Sequence, residues 1–183
     1  MLRRPDIDHI LRAAAVLSNH TRFVVVGTGA VIITAKHIPA EMMMTAEIDL
    51  YADGVVDPEP ISDLIDATIG HGSMFHRTFH YYGDGVSPGT AIMPKDWRVR
   101  ATEYGVPDGS AVAICPSADD IAVAKLCAGR EKDRDWLRAA FGADVANRKR
   151  VAALLRTGLP ETAPDIGELE RRLVGLGVPP ATG

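Results

Sequence analysis

The chain has 183 residues, 46% of them hydrophobic and 24% charged, a globular composition that excludes a disordered protein. Its net charge of −4 excludes general attraction to nucleic acid or membranes, so a polyanion needs a local basic patch or a bound cation. The apolar runs are shorter than the roughly 18 residues of a membrane span, and the N-terminus does not resemble a signal peptide, so we expect a cytoplasmic protein without membrane contact.

The chain begins with a predicted helix followed by a predicted buried strand. Pro5–Ser18 repeats its apolar residues at helical spacing, which predicts a helix. Arg22–Val26 is a β-branched run that ends at Gly27, which is typical of a buried strand entering a tight turn. The next segment, Gly29–Lys36, is compatible with a helix or a strand.

A second strand is predicted at Ala46–Tyr51, where polar and apolar residues alternate. Successive side chains of a strand point to opposite faces, so Glu47, Asp49 and Tyr51 share one face.

The middle of the chain is predicted to continue with a helix, a strand and a loop. Pro58–Ile69 has an amphipathic pattern and predicts a helix. Met74–Tyr82 is predicted to be a strand with His76 and His80 on one face, and Gly83–Gly89 a loop.

The last third of the chain is predicted to be mainly helical. Two strands come first, at Trp97–Tyr104 and Ser110–Cys115, and the helices follow at Ala118–Arg130, Glu131–Ala140, Asp144–Thr157 and Asp165–Leu176. The pattern predicts an α+β fold: a mixed β-sheet flanked by helices, with a C-terminal helical bundle. We expect a core over residues 1–116, a helical region packed on it over 117–178, and a tail at 179–183.

The two acids of the second strand are the first candidate for chemistry. Carboxylates at i and i+2 lie on one face, roughly 6–7 Å apart at the backbone. They repel each other unless they share a cation, and Mg²⁺ favours such hard oxygen ligands. A solvated strand face is the alternative for Glu47 and Asp49.

The turn that follows the first strand is the second candidate. Gly27-Thr28-Gly29 exposes backbone N–H groups and lets phosphates approach closely. No Gly-Lys-Ser/Thr follows, which excludes a P-loop, and the third glycine of a dinucleotide-binding fingerprint is missing.

A strand, a Gly-Thr turn and then an acid-x-acid strand resemble the DNA polymerase beta-like nucleotidyltransferase superfamily, and AbiEii-type bacterial proteins in particular. The resemblance implies a nucleotidyltransferase-like fold in which Gly27 and Thr28 hold a triphosphate. It also implies that Glu47 and Asp49 bind Mg²⁺.

A second segment carries the same resemblance. Ser117 to Asp133 is similar to the AbiEii-type helix that ends in a Lys/Arg-Asp pair. If this segment is one helix, Lys125 and Lys132 stack on one side, where we expect a lysine to meet a triphosphate as a point charge. Asp133 is a further candidate for the lining of the cleft; a solvated helix face is the alternative.

The third metal-binding carboxylate of the superfamily has no counterpart on the predicted strands, since Asp84 falls in the predicted loop. His76 and His80 are instead candidates for lining a cleft near the acid pair. A structural role is the alternative for both histidines, and the further ligands of a zinc site are missing.

The residues and the resemblance together predict Mg²⁺-dependent transfer of a nucleotidyl group from a nucleoside triphosphate to an RNA, such as tRNA, or to a protein. The resemblance further implies a toxin–antitoxin pair, with a cognate antitoxin as partner. The alternative is a catalytically inactive protein that binds a nucleotide or a protein partner.

Overall fold

A computed structural model describes residues 2–177 and shows a five-stranded sheet flanked by helices. The strands are β1 (Arg22–Val26), β2 (Glu47–Ala52), β3 (Tyr82–Gly85), β4 (Thr102–Gly105) and β5 (Val112–Cys115). The helices are α1 (Arg4–Ser18), α2 (Gly27–Thr34), α3 (Glu59–Ile69), α4 (Met74–Phe79), α5 (Ala118–Ala128), α6 (Glu131–Gly142), α7 (Arg148–Leu154) and α8 (Ile166–Gly175). The predicted α+β class with a mixed sheet is confirmed.

The strand order in the sheet is β3-β2-β1-β5-β4. β1 runs antiparallel to β2, and β2 runs parallel to β3. Val26, the last residue of β1, therefore lies opposite Asp49 of β2, and Asp49 lies opposite Asp84 of β3. The end of β1 therefore lies beside the acids of β2 and β3.

Apolar side chains explain why these elements form and where they pack. Residues 23–26 of β1 are all buried, which suits the central strand of a sheet covered by helices. α1 and α3 pack against each other and against β3, while α5 packs against α2, α6, α7 and α8. The predicted C-terminal helices therefore form one packed group around α5.

The predicted strand at Met74–Tyr82 is wrong, because most of it forms the helix α4. The Ser73 hydroxyl caps this helix by accepting a hydrogen bond from the His76 backbone N–H. Phe75 and Phe79, four residues apart, come together on one side of the helix against the His9 ring. Capping and tertiary packing therefore override the strand propensity of the aromatic residues.

The predicted loop Gly83–Gly89 is wrong at its start, because Tyr82–Gly85 forms β3. Glycine and aspartate are depleted in strands, so this sequence predicts a turn. Both glycines are required by close helices: a Cβ at Gly83 would lie 2.6 Å from Ile10 Cγ2, and one at Gly85 would lie 1.9 Å from the Ser62 carbonyl oxygen.

The predicted helix Ala118–Arg130 ends two residues early, at Ala128. Gly129 adopts φ +65° and closes the helix, and α6 begins after Arg130. Lys125 and Lys132 therefore lie on two different helices, and the expected stacking along one helix is wrong. The predicted strand Trp97–Tyr104 likewise begins with a 3₁₀ turn, and β4 covers only its end.

No helix within residues 2–177 is long and apolar enough to cross a membrane. The division into a core and a C-terminal region stays a prediction, and the expected tail at 179–183 lies outside the described residues.

Candidate functional site

A glycine turn joins β1 directly to α2 and forms the first part of the candidate site. Gly27 adopts φ +63°, which allows the helix to begin immediately after the strand. A Cβ at this position would lie 3.1 Å from Asp49 Oδ2, so the backbone of the turn passes close to that carboxylate. The N-terminal N–H groups of α2 have no partners within the helix and are suited to an anion.

Three carboxylates gather beside this turn. Glu47 and Asp49 follow the predicted alternation along β2, and both are partly buried. Asp84 comes from the neighbouring strand, where its Cα is paired with that of Asp49. Asp84 is therefore a third acid of the cluster, whereas the sequence predicted it to lie in a loop.

The electrostatics of the carboxylates show that they repel each other. Burial and the charges of Glu47 and Asp84 raise the pKa of Asp49 to about 6. Burial and the charge of Glu47 also raise the pKa of Asp84. Asp84 Oδ1 is buried and accepts no hydrogen bond from any described residue. Unpaired buried charges are costly, so the cluster is suited to a bound cation.

Cations lie across the cleft, on α5 and at the start of α6. Lys125 Nζ lies 3.0 Å from Asp133 Oδ1, and Arg130 Nε lies 2.7 Å from Asp133 Oδ2. Burial lowers the pKa of Lys125, whereas Arg130 and Lys125 hold the pKa of the buried Asp133 below its ordinary value against the effect of burial. The pKa of Arg130 is raised chiefly by its hydrogen bond to Asp133 and further by Asp49 and Glu47, which shows that the Arg130 guanidinium lies within the field of the acids.

The acids of β2 and β3 form one wall of a cleft, and the cations of α5 and α6 form the other, the cationic wall. The cleft has a volume of about 690 Å³. Six of the residues singled out in the sequence line it: Gly27, Thr28, Glu47, Asp49, Lys125 and Lys132. A volume of this size lies in the range of small-molecule and cofactor pockets.

The other three candidates are not among the residues that line this cleft. His76 lies on α4 and His80 ends that helix with φ +62°, so they share no strand face, which corrects the prediction for both. The carboxylate of Asp133 is buried beneath the cationic wall, where it holds Lys125 and Arg130.

The comparison with known families supplies the assignment. Residues 6–159 match the family described as "Nucleotidyltransferase of unknown function (DUF6036)". The chain belongs to this nucleotidyltransferase family. No curated protein and no solved structure matches it. The predicted nucleotidyltransferase superfamily is therefore confirmed, whereas the closeness to AbiEii-type proteins stays a prediction.

The sequence predicts Mg²⁺ for this site, so the described residues are compared with the ligands that Mg²⁺ prefers. Among residues 2–177, no three His, Cys, Asp or Glu side chains form a ready-made metal cage. Mg²⁺ usually takes one or two carboxylates and completes its shell with water and substrate phosphates. The mutual repulsion of the carboxylates and the orphaned Asp84 oxygen fit a cation that arrives with a triphosphate.

Sequence reasoning missed three residues of this nucleotidyltransferase cleft: Asp84, Arg130 and Trp136. Asp84 stands between two glycines, and an acid in such a setting is a signal that could have pointed to a strand beneath a close helix. Arg130 lies within the Ser117 to Asp133 segment, where Lys125 and Lys132 were the predicted cations. Trp136 reaches the cleft only because α6 folds back, which places Lys125 Nζ 5.0 Å from its ring centroid.

Proposed function

We propose that this chain is an active Mg²⁺-dependent nucleotidyltransferase that moves a nucleotidyl group from a nucleoside triphosphate to a hydroxyl of an RNA or protein acceptor. The observation that carries the proposal is the pairing of Asp84 with Asp49 across β2 and β3, beside the turn at Gly27. This pairing completes a set of three acids and favours an active enzyme over the inactive alternative.

Each wall of the cleft has its own role in the proposal. Glu47 and Asp49 would hold Mg²⁺, and Asp84 adds a third negative charge beside them. When bound, Mg²⁺ supplies charge that orients the triphosphate and stabilises the transferring phosphoryl group. The backbone of Gly27 and Thr28 cradles the phosphates, and Lys125, Arg130 and Lys132 neutralise them from the opposite wall.

The reaction that this arrangement supports is an in-line displacement. The acceptor hydroxyl gives up its proton to solvent as its oxygen forms a bond to the α-phosphorus, and the bond from that phosphorus to the β-phosphate oxygen breaks. Pyrophosphate then leaves along the cationic wall. Positioning and charge neutralisation do most of the catalytic work in such transfers.

RNA, and tRNA in particular, is the first acceptor that we propose, and a cognate antitoxin is the partner. Only the resemblance of the Gly27-Thr28 turn, the Glu47/Asp49 pair and the Lys125 segment to AbiEii-type proteins supports these two points, so they rest on analogy.

The test is a transfer assay with each of the four α-labelled ribonucleoside triphosphates, Mg²⁺ and either total tRNA or a protein extract as acceptor. We expect label to enter tRNA with the wild-type chain. Loss of a residue that supports a metal ligand from outside typically costs roughly 10–100-fold in activity. Asp84→Asn should lower the transfer rate by more than this. Asp63→Asn, an exposed change on α3, is the control and should retain full activity.

The outcomes separate the alternatives. Label in protein alone would replace the acceptor and keep the chemistry. Magnesium-dependent binding of a triphosphate without transfer to either acceptor would overturn the activity and leave a nucleotide-binding protein. Neither binding nor transfer would overturn the nucleotide site itself.

A further inference from the structure

Tyr82 begins β3 directly opposite Glu47, two residues before Asp84 and on the same face of the strand. Its hydroxyl donates a hydrogen bond to Glu47 Oε2 at 2.5 Å. In the parallel pairing of β2 with β3, Glu47 therefore lies opposite Tyr82 and Asp49 lies opposite Asp84. The Tyr82 phenol therefore stands directly beside Glu47.

The ring of Tyr82 is held in place by its surroundings. It is only 9% exposed, and its centroid lies 4.4 Å from that of His76 and 5.3 Å from that of His71. His76 is itself fixed, because its Nδ1 accepts a hydrogen bond from the Gly72 backbone N–H at 3.0 Å. These contacts hold the Tyr82 ring where its hydroxyl reaches Glu47 Oε2.

The direction of this hydrogen bond has a consequence for Glu47. A phenol carries one proton and an ionised carboxylate can only accept, so the Tyr82 hydroxyl is the donor of this hydrogen bond. Glu47 Oε2 is engaged by that donor, which leaves Oε1 as the oxygen free to meet a cation. A glutamate has one more rotatable bond than an aspartate, and the hydrogen bond restricts that extra freedom.

We propose that Tyr82 is a positioning residue that anchors Glu47 through Oε2 and so presents Oε1 to the divalent cation. This inference rests on the proposed function, since it assumes that Glu47 meets a cation. Groups that orient a ligating carboxylate in this way typically change metal affinity by about 10–100-fold when they are removed.

The experiment measures Mn²⁺ binding by the metal-free, full-length chain, from the electron paramagnetic resonance signal of free Mn²⁺ at pH 7.5. Tyr82→Phe removes only the hydroxyl and should weaken Mn²⁺ binding about 10–100-fold. Tyr81→Phe is the matched control, because it removes the hydroxyl of the neighbouring tyrosine, which pairs with His9 instead. It should bind Mn²⁺ as tightly as the wild type.

A second variant tests whether Tyr82 acts through Glu47. Glu47→Asp keeps the carboxylate but shortens it beyond the reach of the Tyr82 hydroxyl. Adding Tyr82→Phe to Glu47→Asp should change Mn²⁺ affinity by less than about twofold, because the interaction is already lost. Melting temperatures of all the variants show whether each is folded.

Three results would overturn the inference in distinguishable ways. Wild-type affinity in Tyr82→Phe would show that the hydroxyl does not position the ligand. An equal loss from Tyr82→Phe in both backgrounds would show that it acts without Glu47. A wild-type chain that binds Mn²⁺ no better than Asp49→Asn would overturn the proposed metal site and this inference with it.

Discussion

At the scale of single residues, Asp49 carries an energetic cost that a bound cation can remove. Its carboxyl lies beneath the Gly27 turn and between Glu47 and Asp84, and its pKa rises from an ordinary 3.8 to about 6. The folded chain therefore holds the Asp49 proton more tightly than the unfolded chain does. Ionising Asp49 without a cation costs the folded state free energy.

We expect this cost to appear as a pH dependence of stability in the metal-free protein. Because the folded pKa is raised, the contribution of Asp49 to the free energy of unfolding is fully present below about pH 4 and is lost as the pH rises to about 6. The loss is on the order of 3 kcal/mol at 1.36 kcal/mol per pKa unit. Asp49→Asn should remove it.

Urea denaturation of the wild type and of Asp49→Asn at pH 4.5, 6 and 7.5 in a chelating buffer measures this difference. The variant should gain stability relative to the wild type as the pH rises. Asp63→Asn, which changes an exposed acid on α3, should follow the wild type. Parallel curves for the wild type and Asp49→Asn would contradict the raised pKa.

At the scale of elements, the contact between α3 and β3 fixes the third carboxylate. β3 lies so close to α3 that a Cβ at Gly85 would overlap the Ser62 carbonyl, and the Ser62 hydroxyl donates to the Val86 carbonyl at 2.9 Å. Asp84 stands between this contact and the one that Gly83 makes with Ile10. The helix packing thereby sets the position of the acid.

Gly85→Ala should therefore disturb both stability and the site. The new methyl group must push α3 away from β3, so we expect a loss of at least about 1–3 kcal/mol in the free energy of unfolding, as in overpacked cores. The displaced Asp84 should also weaken Mn²⁺ binding.

Chemical denaturation and Mn²⁺ titration measure the two effects. Gly89→Ala is the matched control, since no heavy atom lies within 4 Å of a Cβ at that position. A stable Gly85→Ala with unchanged Mn²⁺ affinity would show that β3 tolerates a side chain there.

The same elements explain which parts of the fold and the site the sequence predicts. Short-range patterns make β1, the Gly27 turn and β2 predictable. The β-branched run of β1 and the alternation of acids along β2 coincide with the roles of these strands in the fold. β3 is not predictable, because the reason for glycine at positions 83 and 85 lies in helices far away in the chain.

Arg130 and the helix α4 could not be predicted from the sequence for a related reason. Arg130 lies within the field of the acids at the start of α6, after Gly129 ends α5 in a left-handed turn, and local helix propensity does not specify where that break falls. The histidines of α4 look like a strand face because aromatic residues have high strand propensity, while their helix depends on the Ser73 cap and on packing against His9.

At the scale of the whole molecule, the cleft has acids on the sheet and cations on the C-terminal helices. The acidic wall alone attracts a cation, and the basic wall alone attracts phosphate. Under the proposed function, a triphosphate with Mg²⁺ would satisfy both walls at once. A ligand that binds the folded state and not the unfolded chain should stabilise the entire protein.

We expect one of the four ribonucleoside triphosphates with Mg²⁺ to raise the melting temperature by about 5–10 °C at one hundred times its dissociation constant. Either component alone should raise it less, because each leaves one wall unsatisfied. Differential scanning fluorimetry measures the shift.

Asp84→Asn should lose most of this stabilisation by the ligand, whereas Gly89→Ala should retain it. A shift of equal size without Mg²⁺ would indicate that the triphosphate binds through the cationic wall alone and that the acids have another role.

One oxygen of the Asp84 carboxylate takes no part in holding its strand in place. Gly83, Gly85 and the backbone hydrogen bonds of β3 hold the strand in place, and Asp84 Oδ1 has no partner among the described residues. Under the proposed function, an active enzyme and a protein that only binds its nucleotide would therefore differ by a single nucleotide substitution at this position, since an aspartate codon becomes an asparagine codon by one change.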